Sequence, residues 1–119
     1  MSYIFDVGDE TVWSPSLRTG RLYVGLTRCL ADITGQPTGL NTVADDMYEI
    51  EVEAFQTLTS AVYEDFRSTD HPVYRGQLRG WLLTSLVLLQ RAGSPLPAID
   101  NAERELQQDL AGYAKAMPT

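Results

Sequence analysis

The densest run of reactive side chains is Asp45-Asp46-Met47-Tyr48-Glu49-Ile50-Glu51-Val52-Glu53, with five carboxylates in nine residues and no basic neighbour. Carboxylates gathered in this way can hold a hard cation, meet a basic protein, or offset the positive end of a helix. A calcium loop is excluded by spacing. The D-x-D-x-D-G order and its turn glycine are missing, and Tyr48, Ile50 and Val52 interrupt the ligands. Between residues 29 and 66 the chain carries eight acids and no base, whereas the rest has nine bases against eight acids. The net charge of −7 is therefore made in one third of the chain. Asp45, Asp46, Tyr48, Glu49, Glu51 and Glu53 are the residues expected to meet a protein partner.

A second constellation surrounds the single histidine. His71 lies beside Asp70 at a helix start, with Tyr74 and Arg75 one turn on. A histidine oriented by a carboxylate can act as a general base, and these four residues could supply the polar groups of a small-molecule pocket. No nucleophile motif accompanies them, and Cys29 sits in an apolar helical pattern where a thiol is inert. A catalytic set is not expected, nor a metal site or any cofactor, since one histidine and one cysteine make a poor transition-metal donor set. Arg75 and Arg79, like Arg18, Arg21 and Arg28, can share a helix face; ion pairing with acidic neighbours is the expected use.

The bulk properties narrow the partners further. A chain of 119 residues provides one hydrophobic core, so residues 1–119 read as a single domain. A charge of −7 with a pI near 4.5 argues against nucleic acid and against anionic membranes, and favours a basic partner. The lone cysteine suits a reducing compartment. The start of the chain lacks the basic and apolar regions of a signal peptide. The longest apolar run, residues 81–89, is far short of the roughly twenty residues of a membrane span. A cytoplasmic protein is expected.

These side chains must be positioned by mostly helical elements. Residues 2–13 read as a short β-hairpin turning at Gly8-Asp9, with Trp13 anchoring it on the helices. Ser14-Pro15 signals a helix over about 15–34, with Leu22, Leu26, Cys29 and Ile33 as one apolar stripe and Gly35 as its stop. Residues 35–44 read as a loop or a single turn. From Met47 to Glu53 apolar and acidic residues alternate, which is a strand signal, but Val52, Phe55, Leu58, Val62 and Phe66 have helical spacing. A short extended piece ending near Glu51, followed by a helix over about 51–68, satisfies both patterns.

Pro72 opens a third helix over about 72–92, apolar nearly all round through Leu78, Trp81, Leu82, Leu83, Leu86, Val87 and Leu89, and therefore central. Asp100 and Glu103 have capping-box spacing before a fourth helix over about 101–117, whose apolar face is Ala102, Leu106, Leu110, Tyr113 and Met117. The expected fold is mainly α: a compact bundle of about four helices with a small N-terminal β-hairpin.

Five stretches taken together, MSYIFDVGDETVWSPSLR at the start, PTGL at 37–40, DMYEI at 46–50, HPVYR at 71–75 and TSLVLLQRAG at 84–93, resemble a family of short acidic actinobacterial proteins known as a domain of unknown function. The resemblance covers residues 1–97 and implies a single domain; it brings no catalytic residues. The leading expectation is a small acidic binding protein without enzymatic activity that engages a basic protein, in the manner of an immunity protein or antitoxin. The rival is a small-molecule-binding protein or accessory enzyme of specialised metabolism with an aromatic pocket at Asp70, His71, Tyr74 and Arg75. A homodimer through the third helix is a further expectation.

Overall fold

The computed structural model describes residues 2–96 and 104–119. A hairpin, a helix, a second hairpin and three further helices follow one another along it. Strands β1 (Ile4–Val7) and β2 (Glu10–Trp13) turn at Gly8, whose φ of 58° favours a residue without Cβ. Helix α1 (Leu17–Thr34) is capped by Ser16, whose hydroxyl accepts from the Thr19 amide, and stops at left-handed Gly35. Ser14, the cap expected from sequence, instead holds the chain end: its amide donates to the Pro118 carbonyl and its hydroxyl to that of Thr119. A second hairpin follows, β3 (Leu40–Ala44) and β4 (Met47–Ile50), turning at Asp45-Asp46. Helices α2 (Val52–Ser68), α3 (Pro72–Arg91) and α4 (Arg104–Lys115) complete the order. The capping box at Asp100 and Glu103 lies outside the described residues.

The two hairpins join into one four-stranded sheet, ordered β2-β1-β4-β3. Within each hairpin the pairing is antiparallel, and β1 and β4 meet in parallel across the α1 crossover. This overturns the mainly-α bundle with a small hairpin: the protein is an α/β fold in which a mixed sheet forms one layer. The β3 region read as a loop because Asn41 to Ala44 are all exposed, so no buried alternation marks it. The alternation at Tyr48 and Ile50 marked a true strand, and residues 47–50 are extended.

The inner face of the sheet is aromatic. Phe5 is 0% exposed, stacks on Trp13 and Tyr48, and meets Tyr23 of α1 edge-on. Such ring pairs add about 0.5–1.5 kcal/mol each beyond the area they bury. Two glycines permit the close approaches beneath this face. A Cβ on Gly20 would lie 2.4 Å from the Tyr3 ring, and one on Gly39, at φ 73°, would lie 2.5 Å from the Phe55 amide nitrogen. Helix α3 is central as expected, burying Leu78, Trp81 to Leu83 and Ser85 to Leu89.

A sealed polar chain links α1 to α3. The Trp81 indole donates to the Thr27 hydroxyl at 2.8 Å, which donates to the Tyr23 carbonyl, while the Tyr23 and Ser85 hydroxyls bond at 2.6 Å. Buried hydroxyls are tolerated because each is partnered. Arg91 ties the layers together at the other end, donating to the carbonyls of Val12 in β2 and Ala114 in α4.

Helix α1 corrects another expectation. Its buried side is Gly20, Tyr23, Val24, Thr27, Leu30 and Ala31. The stripe Leu22, Leu26, Cys29 and Ile33 faces solvent instead, with Leu22 63% and Ile33 60% exposed and the Cys29 thiol free and exposed. Both sides of this helix are apolar enough to read as core. The inner side is selected by Gly20 lying against Tyr3 and by the hydrogen bonds of Tyr23 and Thr27.

Candidate acidic sheet surface

Side chains alternate across a strand, so a core-facing aromatic leaves its neighbours on the opposite face. Phe5 and Tyr48 point inward in register; Asp6 and Glu49, the next pair, sit side by side on the outer face. Thr11 lies opposite Asp6 and donates to its Oδ1 at 2.7 Å, and Asn41 lies opposite Glu49. Ile4 and Met47, also in register, are half-buried on the same face. The parallel pairing of β1 and β4 sets the Asp45-Asp46 turn at one end of this face. At the other end are Asp9, Glu10 and Glu51, the N-cap of α2.

The charge accounting is sharper in three dimensions than along the chain. Residues 2–13 and 40–51, the strands with their turns and the α2 cap, hold Asp6, Asp9, Glu10, Asp45, Asp46, Glu49 and Glu51 and no base. The nine remaining acids equal the nine Arg and Lys residues, all of which lie on helices. The formal charge of −7 is thus the charge of the sheet layer. Like charges in register on neighbouring strands repel unless something positive covers them. Its polar side-chain neighbours among the described residues include the Thr11 hydroxyl and the Asn41 amide.

Of the six predicted partner-binding residues, the structure brings Asp45, Asp46, Glu49 and Glu51 to this surface. Glu53 is exposed in the first turn of α2. Tyr48 is not available, being 6% exposed and stacked on Tyr3 and Phe5. Asp6, Asp9 and Glu10 were missed by sequence reasoning. Their signal was present: residues 1–17 also contain acids and no base, but only the β1–β4 pairing joins that run to the second. Strand β3 forms one rim of the face. It is an open edge with Val43 62% exposed and a register irregularity between Thr42 and Ala44, a feature that discourages indiscriminate strand pairing.

The residues of the other predicted constellation make separate contacts. Tyr74 donates to Asp65 Oδ2 at 2.6 Å, which holds its phenol above its ordinary range. Arg75 donates to the carbonyls of Phe66 and Thr69 and lies 4.0 Å over the Phe66 ring, capping the end of α2. Asp70 and His71 are exposed at the junction, with no side-chain cap from His71. A depression of about 400 Å³ does exist elsewhere, among α1, α3 and α4, lined by Leu22, Leu26, Gly80, Trp81, Tyr113 and Met117 among others. A second, of about 650 Å³, lies along α1 over Leu17, Arg18, Arg21, Leu22, Gly25 and Leu26. Arg79 pairs with an acidic neighbour, Asp109, as expected of the helix-face arginines, and Arg67 pairs with Glu64. Among the described residues, no three His, Cys, Asp or Glu side chains converge as metal ligands, and no helix is long and apolar enough to cross a membrane.

A small α/β domain with an aromatic inner sheet face and an uncovered acidic outer face is what the sequence folds into. Over residues 1–119 it belongs to the family of unknown function DUF6086. No curated protein and no solved structure matches the chain, so no activity comes to it by likeness.

Proposed function

We propose that this protein is a non-enzymatic binding protein that engages a basic protein through the outer face of its sheet, in the manner of an immunity protein or antitoxin. The observation that carries the reading is the confinement of the whole net charge to one uncovered layer. A surface of one sign steers a partner of the opposite sign and rejects others. A cytoplasmic setting fits, with the single cysteine kept as a free thiol.

The test is capture on immobilised protein, comparing the native chain with a variant carrying Asp6→Asn, Asp46→Asn, Glu49→Gln and Glu51→Gln. The expected result is a basic protein retained at low salt, released as ionic strength rises, and lost from the variant, whose thermal melt shows that it is folded. Retention of the same protein by the variant, or capture of an acidic one, removes the sheet face as the interface.

A second reading has its own observation, the aromatic-lined depression among α1, α3 and α4, whose size lies within the range of small-ligand sites. In that reading the protein binds a small apolar molecule there rather than beside His71. Since Trp13 and Trp81 both line it, the hydrophobic dye 8-anilinonaphthalene-1-sulfonate should quench tryptophan emission in the native chain. Quenching that Gly80→Leu leaves unchanged would place the dye elsewhere.

A further inference from the structure

Helix α1 carries an apolar stripe that no described residue buries, its Leu22 and Leu26 also bordering the depression shared with α3 and α4. Leu22, Leu26, Cys29 and Ile33 recur at spacings of four, three and four, the seam pattern that a second helix fills. The stripe runs about 16 Å along the helix at 1.5 Å per residue. An isolated exposed leucine needs no explanation, but four aligned apolar residues over three turns mark an interaction face. The large apolar residues of helix α3 from Leu78 to Leu89, where the dimer surface is expected from sequence, are buried inside the chain.

We infer that this stripe is the interface of a two-fold homodimer in which α1 packs antiparallel on its copy. Two observations select a second copy as the occupant. The spacing is its own complement on reversal: Leu22 falls opposite the partner's Ile33, and Leu26 opposite the partner's Cys29. Charge agrees as well. Arg21 and Asp32 lie on the same flank of the stripe, and in the reversed register Arg21 comes within two residues of the partner's Asp32, twice by symmetry. Neither has an ion-pair partner among the described residues of its own chain. Arg28, near the two-fold axis, is turned furthest from the stripe on that flank.

The dimer leaves both acidic sheet faces free. Tyr23 turns toward the sheet, and Leu22 is about 100° round the helix from it.

Light scattering on the full chain tests the inference, with an expected mass of twice the 13.2 kDa chain. Leu22→Glu with Ile33→Glu sets like charges opposite each other at both ends of the seam, and the mass should halve. Leu22→Lys with Ile33→Glu sets opposite charges there and should restore the dimer, an outcome that a parallel pairing does not give. Leu22 and Ile33 lie outside the core, and circular dichroism confirms that each variant is folded. In the native chain a short bismaleimide should link the two Cys29 thiols. A 13.2 kDa particle at all concentrations up to roughly 100 µM, or a dimer indifferent to both charge pairs, overturns the inference.

Discussion

The sheet layer and the helical layer separate core from surface by different means. In the sheet the period of two sends Phe5 and Tyr48 inward and Asp6 and Glu49 outward, so one short segment contributes both an aromatic core and an acidic surface. In the helices the division is rotational and less strict. Helix α3 is buried nearly all round, α4 presents one clean face, and α1 has apolar residues on two sides, only one of which the fold uses. The helices also carry every base, nine against six acids, whereas the strands and their turns carry acids alone. The exposed surface therefore divides as well: charge lies on the strands and an apolar stripe on α1.

The comparison breaks most sharply at Phe5. If the hairpin were a peripheral ornament on a helical bundle, truncating it would cost little. As the centre of the sheet–helix interface, Phe5→Ala should cost about 3–5 kcal/mol in urea denaturation. Gly39→Ala tests the joint between the second hairpin and α2. Its left-handed backbone and the nearby Phe55 amide predict a loss of about 1–3 kcal/mol, whereas Gly25→Ala, in open helix, should stabilise slightly.

A third, smaller effect is pH-dependent and belongs to the buried α1–α3 link. Burial pushes the Tyr23 phenol above its ordinary value, with the hydrogen bonds to Ser85 and Thr27 acting the other way. The folded state holds this proton more tightly than the unfolded chain, so its contribution is intact below about pH 10 and is lost as pH rises further. Tyr23→Phe should lose about 1 kcal/mol at neutral pH, from the stranded Ser85 hydroxyl, and show a flatter alkaline branch. The least effect is expected at the outer face. Glu49→Gln relieves the in-register repulsion with Asp6 and should stabilise by a few tenths of a kcal/mol at low salt, a gain that disappears at high salt. Glu64→Gln on α2, which breaks an ion pair with Arg67, should show no such gain.

The legible parts of the sequence were those where one pattern had one use. The all-round apolar run of α3 and the alternation at Tyr48 and Ile50 could be read directly. The acidic stretch was visible too, but only its second half of the surface. Asp6, Asp9 and Glu10 join it through a parallel strand pair some forty residues apart in sequence, which no local pattern encodes. Strand β3 was hidden because an edge strand exposed at Asn41 to Ala44 buries nothing to alternate. In α1 the larger aliphatics of the outer stripe outweighed Gly20, Tyr23 and Thr27, whose burial depends on a glycine contact and hydrogen bonds to distant partners. Sequence periodicity reports that a helix has an apolar face; tertiary partners decide which of two faces is inside.

The position of β1 has a consequence for how the molecule is made. It is the earliest strand in the chain, yet it lies inside the sheet, between β2 and β4. During synthesis the first hairpin can zip up as soon as it emerges, but the other margin of β1 stays open until α1 and β3 have followed and β4 arrives. Long-range parallel pairing is slow to close, because the intervening loop must be ordered first. For that interval the nascent hairpin exposes Phe5 and Trp13 beside a vacant strand margin, the kind of surface that chaperones recognise and that aggregates when crowded.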